Sequence, residues 1–489
     1  MGNLKDKAAK GFVWIFAGTL SQNILQFISL VFLARLLTPK DFGVVSVAMI
    51  VVGLLKIFSE LGIAPGIVQR HELKPEDIKT ANVLTVSLGF VFGLIVYSLA
   101  DNIALLFEMP DLVQVIQVLA FILPITGLMV VGQALLQRAL LFKKIAMFTF
   151  TSYFISNIFV AIPLALNDYG LWSLVYSTLL QYILMLIFIH VTLKESRMYG
   201  FSWGSAKALF VYGFGQSLGK LANYLANQGD NMIVGKLLGA EVLGLYSKAY
   251  QLMMLPANIL GTVIDKVLFP IMSSIQNEKQ RLSNAYITAL SVVVMVTMPL
   301  SAVLVIFAED IISIIFGQQW IGSAHILQIL SLALVFRITY KFSDTLSRAK
   351  GSVYKRAWRQ GIYAMFVFIG AWFGSTWGAA GVAWGTALAI LVNFLLMLQL
   401  SQKLIGFSWG KILLLHFKHF LISISMVTCI LMLRKELVFY KYSSFSITVI
   451  SMFFGMFSLC LIWFLVRSFI SVEINFIKIS MSKIISRKK

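Results

Sequence analysis

Between residues 12 and 467 the chain repeats one pattern: a long apolar run, then a short break where lysine, arginine, proline and glycine gather. A helix of about twenty apolar residues crosses a hydrocarbon core of roughly 30 Å. The runs here are apolar throughout rather than alternating, whereas barrel strands need period-two segments of about ten residues. The pattern therefore predicts an all-α polytopic membrane protein with about fourteen transmembrane helices. They fall near residues 12–34, 42–66, 80–100, 113–136, 146–166, 171–192, 208–232, 241–267, 283–307, 321–345, 357–376, 379–402, 412–433 and 446–466. No stretch is left for a soluble domain. The first run lacks a small-residue cleavage site and reads as a retained helix, not a signal peptide.

Composition agrees: 59% of the 489 residues are hydrophobic and 12% are charged, against about 25% charged in soluble domains. Forty lysines and arginines stand against twenty acids, a formal net charge of +20. Most of the forty lie in breaks on one side of the predicted membrane; Arg35, Lys40, Lys236, Arg434, Lys435 and Lys441 lie on the other. Basic loops stay cytoplasmic, so both termini are expected there, with Arg434, Lys435 and Lys441 against the trend. The excess charge reflects topology and anionic headgroups of the membrane lipids rather than a nucleic-acid footprint.

The string GFSWG occurs twice, at 200–204 and 406–410, just after the sixth and the twelfth predicted spans. Other matches keep the same order. ARLLTPKDFGVVSVA (34–48) lies over GKLLGAEVLGLYSKA (235–249) without a gap, pairing Gly43 with Gly244; Ala100-Asp101 meets Ala308-Glu309, Arg138-Ala139 meets Arg348-Ala349, and Gly170 meets Gly381. A duplicated six-helix unit follows. Six spans is an even number, so the two copies run parallel, as in alternating-access carriers whose path lies between two lobes. The expected organisation is an N-terminal lobe (1–200), a C-terminal lobe (201–405), and two extra helices with a basic cytoplasmic tail (406–489). Pro163, Pro256 and Pro299 lie inside spans, where the helix should bend or loosen.

Polar residues inside spans are costly in lipid and usually face a bundle interior or a wet cavity. Gln216, Lys220, Asn223, Asn227 and Asp230 share one face of span seven. Thr19, Gln22, Gln26 and Ser29 repeat part of that face on span one. Such amides either join helices or line a cavity, and a duplicated stripe bearing a lysine favours the cavity. Lys56, Lys248, Lys266, Arg337 and Lys341 bring the bases within spans to six, against the acids Glu60, Asp230, Asp265 and Asp344. A cavity lined by these groups is cationic and suits an anion. The substrate-binding candidates are Lys56, Lys220, Lys248, Arg337, Lys341, Gln22, Gln26, Gln216, Asn223 and Asn227; Glu60 and Asp230 are candidates for ion coupling. Lys56 and Glu60, four apart, form the expected ion pair. Lys220 lies too deep to reach the surface, so it either pairs with an acid, for which Glu60 is available, or faces water and awaits an anion.

KGFVWIFAGTLSQNILQFISLVFLARLLTPKDFG (10–43), GQALLQRALLFKK (132–144), NMIVGKLLGAEVLGLYSKAYQLMMLPANI (231–259) and VLFPIMSSIQ (267–276) resemble the polysaccharide transport branch of the multidrug/oligosaccharidyl-lipid/polysaccharide superfamily, with its Wzx-type flippases and colanic-acid and teichuronic-acid exporters. The resemblance covers nearly the whole chain and is weakest over the last two spans. It implies a two-lobed, MATE-like fold and the movement of an undecaprenyl-diphosphate-linked oligosaccharide, the repeat unit of a surface polysaccharide, to the outer leaflet. It also implies the glycan polymerase and glycosyltransferases of the same pathway as partners. A multidrug extruder of the same superfamily is the alternative, though a cavity for cationic drugs should be acidic. A membrane-embedded glycan polymerase should carry a large catalytic outer loop. The chain has no phosphate-binding Gly-rich loop and no His/Cys/Asp cluster of metal-ligand spacing, so no enzyme, cofactor or metal is expected, and Cys429 and Cys460 are expected to stay unbonded.

Overall fold

The structure is a computed structural model and describes residues 2–70, 72–440 and 444–465. It is helical, with no strand among the described residues. The fold divides into two compact units, residues 1–247 and 248–489. The first holds α1 (Gly2–Leu36), α2 (Pro39–Glu60), α3 (Ile63–Gln69), α4 (Pro75–Ser98), α5 (Ala100–Phe107), α6 (Leu112–Leu119), α7 (Ile122–Arg138), α8 (Phe142–Ser156), α9 (Ile162–Leu166) and α10 (Leu171–Thr192). The chain then enters α11 (Trp203–Val263), which carries the boundary. The second unit continues with α12 (Phe269–Ser274), α13 (Lys279–Ile306), α14 (Ala308–Ile315), α15 (Gly322–Leu332), α16 (Leu334–Ala349), α17 (Val353–Gly374), α18 (Gly378–Ile405), α19 (Trp409–Phe439) and α20 (Ser444–Leu465).

Over the described residues the predicted spans lie along these helices, some across short breaks such as Leu61–Gly62 and Ala120–Phe121. Eight helical stretches among the described residues are long and apolar enough to cross a membrane, and the pair α15 and α16, bent by 44°, makes a ninth. One of the eight, Tyr354–Ile405, is a hairpin. Cβ atoms on Gly370 and Gly374 of α17 would strike the backbone of Gly385 and Gly381 of α18, and the reverse holds; the absent side chains let the two backbones touch. The stretch 208–232 of α11 is diluted by its polar stripe and falls short of the apolar criterion.

The duplication is visible in local structure. Both GFSWG strings end a loop and start a helix at their tryptophan, Trp203 for α11 and Trp409 for α19. Phe201 pairs with Trp203 at 6.0 Å between ring centroids, and Phe407 with Trp409 at 6.2 Å. The matched Ala100 and Ala308, both fully buried, begin the eight-residue amphipathic helices α5 and α14. The break between the first two helices of the N-terminal copy is a capping box: Asp41 N–H donates to Thr38 Oγ1, and Thr38 N–H to the Asp41 carboxylate. At the matching point of the second copy, Gly239 makes the break with a positive φ of 85°, the single non-helical residue in α11.

One pairing shifts. Gly170 (φ 52°, ψ −131°) precedes α10, and Gly378 (φ 71°, ψ −160°) opens α18 in nearly the same backbone state. Gly381 lies inside the helix, so Gly378 is the structural counterpart of Gly170.

The prolines also divide. A π-turn at Asn157–Ala161 precedes Pro163, and another at Ile264–Leu268 precedes Pro270. In each case the turn contains the residue four before the proline, whose carbonyl the ring would otherwise strike. Helical geometry continues through Pro256 and Pro299 without a π-turn, while Pro270 loosens its helix unforeseen.

Candidate functional site

Helix α11 runs along α2 in the first unit, and small residues set the spacing. A Cβ at Gly43 would strike the carbonyl oxygen of Ala240, and one at Gly244 would strike that of Pro39. Ala240 is the repeat partner of Pro39, as Gly244 is of Gly43, so the contact is reciprocal. Deeper in, Gly53 admits the Tyr224 ring, whose hydroxyl donates to the Ile50 carbonyl at 2.9 Å. Ser217 Oγ reaches the Ile57 carbonyl at 3.4 Å, and Gly213 lies against Leu61 and Gly62.

This packing brings three of the predicted residues together. Lys56 and Glu60 sit one turn apart on α2, Lys220 approaches from α11, and Tyr182 stands on α10. Lys56 Nζ lies 3.9 Å from Glu60 Oε1, 3.5 Å from the Tyr182 hydroxyl and 5.0 Å from the centre of its ring. Lys220 Nζ lies 3.5 Å from Glu60 Oε2. Two lysines thus share one carboxylate, leaving positive charge in excess. The side chains of Lys56, Glu60 and Lys220 are 28%, 18% and 40% exposed, so Lys220 is the most accessible of the three. Lys220 thus has the acidic partner that the sequence offered, and part of its side chain stays exposed.

The rest of the stripe divides between the faces of α11. Gln216 and Asn223 are exposed, Asn227 donates to the Asn223 carbonyl at 2.6 Å, and Asp230 is buried. The Asp230 carboxylate accepts from Tyr246 OH and from Asn231 N–H, both at 2.9 Å. On α1, Gln22 and Gln26 are half-buried and Ser29 is fully buried; the side chains of Thr19 and Lys266 lie outside the described residues.

In the second unit Lys248, 9% exposed, donates to Gln251 Oε1 at 3.2 Å. Arg337, 3% exposed, donates to the hydroxyls of Tyr363 (2.8 Å) and Tyr250 (3.3 Å), and its guanidinium lies within 6 Å of the Tyr340 and Tyr363 ring centres. Lys341 packs against Gly261, where no side chain obstructs it. Asp265 pairs with Arg348, and Asp344 with both Arg348 and Arg356. Those acids are engaged by arginines the predicted set omitted.

The sequence reading missed Tyr182, Tyr224 and Ser217. Tyr224 lies one turn beyond Lys220 and Ser217 one turn before it, so helical spacing placed both on the lysine's own side. Nothing in the sequence places Tyr182, 126 residues from Lys56, beside it.

Residues 32–325 match the family described as polysaccharide biosynthesis protein. The chain is 27% identical over 421 residues to the lipopolysaccharide biosynthesis protein WzxC of Escherichia coli (strain K12), covering 84% of each chain. It is 24% identical over 431 residues to the teichuronic acid biosynthesis protein TuaB of Bacillus subtilis (strain 168), covering 87% of this chain and 89% of that one. Among solved structures, the lipid II flippase MurJ in an inward closed conformation aligns with a TM-score of 0.76 at 16% identity, over 94% of this chain and 100% of that one. An inward-facing MATE family multidrug transporter aligns at 0.63 and 17% identity, over 78% of this chain and 94% of that one.

Proposed function

The chain belongs to the polysaccharide biosynthesis protein family, and from that membership, together with the lysine pair that shares Glu60, we propose that it is a flippase for an undecaprenyl-diphosphate-linked oligosaccharide. It carries the repeat unit of a surface polysaccharide across the bacterial inner membrane by alternating access. Both termini are cytoplasmic, residues 1–200 and 201–405 form the two moving repeats, and 406–489 add two helices and a basic tail. The glycan polymerase and glycosyltransferases of the pathway are its partners, and it performs no bond chemistry of its own.

The observation that carries this reading is the accessible excess charge at Lys56 and Lys220. A diphosphate headgroup offers several oxygens to two ammonium groups, and charge-assisted hydrogen bonds at about 2.7–2.9 Å are the strong ones. The relatives' names support the class: besides WzxC and TuaB they include a succinoglycan biosynthesis transport protein of Rhizobium meliloti and a putative O-antigen transporter of Shigella flexneri. A drug extruder of the MATE type shares the fold, but a basic site disfavours cationic drugs.

The test is translocation of a lipid-linked oligosaccharide in proteoliposomes, with and without a pH or Na⁺ gradient. Lys220→Ala should insert normally and lose about tenfold or more in rate, equivalent to about 1.4 kcal/mol of lost anion stabilisation. Lys220→Arg should keep part of the rate, since the charge remains. Wild-type export by Lys220→Ala at matched expression would refute the assignment.

A further inference from the structure

We propose that Glu60 is a built-in counterion: it occupies the lysine pair in the empty carrier, is displaced by the diphosphate of the substrate, and by returning speeds release. The inference rests on the anion-site reading of Lys56 and Lys220 given above.

Distances motivate it. Each Glu60 oxygen takes one lysine, at 3.9 and 3.5 Å, beyond the reach of a short charge-assisted bond. Elsewhere in the same unit Lys40–Asp111 and Lys236–Glu108 close to 2.8 Å, and Arg70–Asp77 to 2.7 Å. The Glu60 carboxylate thus stands farther from each of its two cations than the carboxylates of those pairs do from theirs. A diphosphate, with more oxygens and more charge, can approach both more closely. Glu60 is also the last residue of α2. Leu61 and Gly62 follow with φ of 42° and 56°, so the chain leaves α2 directly after the carboxylate. A rotamer change of Glu60 frees both ammonium groups without breaking an α2 backbone hydrogen bond.

Such a residue costs affinity and gains turnover. Without it the lysines hold any anion more tightly, and no internal carboxylate competes when the substrate must leave. A residue that only held the lysines in place would act oppositely, since its removal would weaken binding.

The experiment measures inorganic diphosphate binding to the full-length chain in nanodiscs by calorimetry, for wild type, Glu60→Gln, Glu60→Asp, Lys220→Gln and the double variant Glu60→Gln/Lys220→Gln. Glu60→Gln should bind about tenfold more tightly, from the loss of a half-buried competing pair. Glu60→Asp, one methylene shorter, should tighten binding by a smaller factor and serves if Glu60→Gln folds poorly. The gain should vanish in the double variant, because it depends on Lys220. In proteoliposomes Glu60→Gln should lower the apparent KM and the maximal rate together. Diphosphate binding that requires Lys220 but is unchanged or weaker in Glu60→Gln and Glu60→Asp would overturn the counterion role and leave the anion site standing. Wild-type protein that binds no diphosphate through Lys220 would overturn both.

Discussion

Gly43→Ala tests the seam between α2 and α11. The added methyl would strike the Ala240 carbonyl oxygen and lie 3.0 Å from the Ala240 Cα, where carbon atoms prefer about 3.5–4.0 Å. The obstacle is backbone, so no rotamer change relieves it and the helices must part by roughly an ångström. Overpacking of this kind costs about 1–3 kcal/mol. Alanine's better helix propensity returns about 1 kcal/mol, leaving a net loss of up to about 2 kcal/mol, against the net gain that the same propensity gives at an unobstructed glycine. Gly244→Ala should lose a similar amount, because its methyl meets Pro39 in the reciprocal way. The double variant should lose less than the sum, since one separation of the helices relieves both clashes. Unfolding titrations in mixed micelles measure each loss. Gly215→Ala and Gly361→Ala, where an added Cβ meets nothing within 4 Å, are the controls and should be neutral or stabilising. If Gly43→Ala matches those controls, or if the two seam variants add fully, the reciprocal backbone contact is not what holds the helices.

Two further outcomes follow from ion pairs outside the lysine site. Lys236, 2.8 Å away, holds the Glu108 carboxyl below its ordinary value of 4.5, through a hydrogen bond first and charge second. A depressed carboxyl stabilises the fold above its unfolded pKa and loses that contribution as pH falls through the folded one. The melting difference between wild type and Glu108→Gln should thus be present at pH 7 and disappear in acid, below the ordinary carboxyl range; a difference that persists there would contradict the pairing. Arg434 lies 2.9 Å from Asp310, whose side chain is 14% exposed, and over the Phe307 ring. Arg434→Ala should destabilise by about 1–2 kcal/mol after discounting for its partial exposure, and Asp310→Asn should restore part of the loss in thermal unfolding. Full additivity of the two substitutions would rule out the pair.

The sequence by itself determined the helical membrane class, because uninterrupted apolar runs admit only structures that satisfy their backbone internally. It also determined the duplication, since matched strings such as GFSWG mark local events, a loop ending and a helix beginning, which depend on neighbouring residues. The Lys56–Glu60 pair was legible for the same reason: four residues make one turn. What lay beyond a turn was left open. Gly170 finds its counterpart in backbone conformation at Gly378, and letters alone pointed to Gly381. Arg434, one of the cations against the topological trend, finds its partner in Asp310, more than a hundred residues earlier in the chain. Lys220 had two readings until packing set it beside a carboxylate already shared with Lys56. That proximity is set by where Gly43, Gly53, Gly62 and Gly213 let two helices touch. Helical periodicity fixes which residues of one helix share a face; which faces meet depends on the fit of whole surfaces, and that is decided in three dimensions.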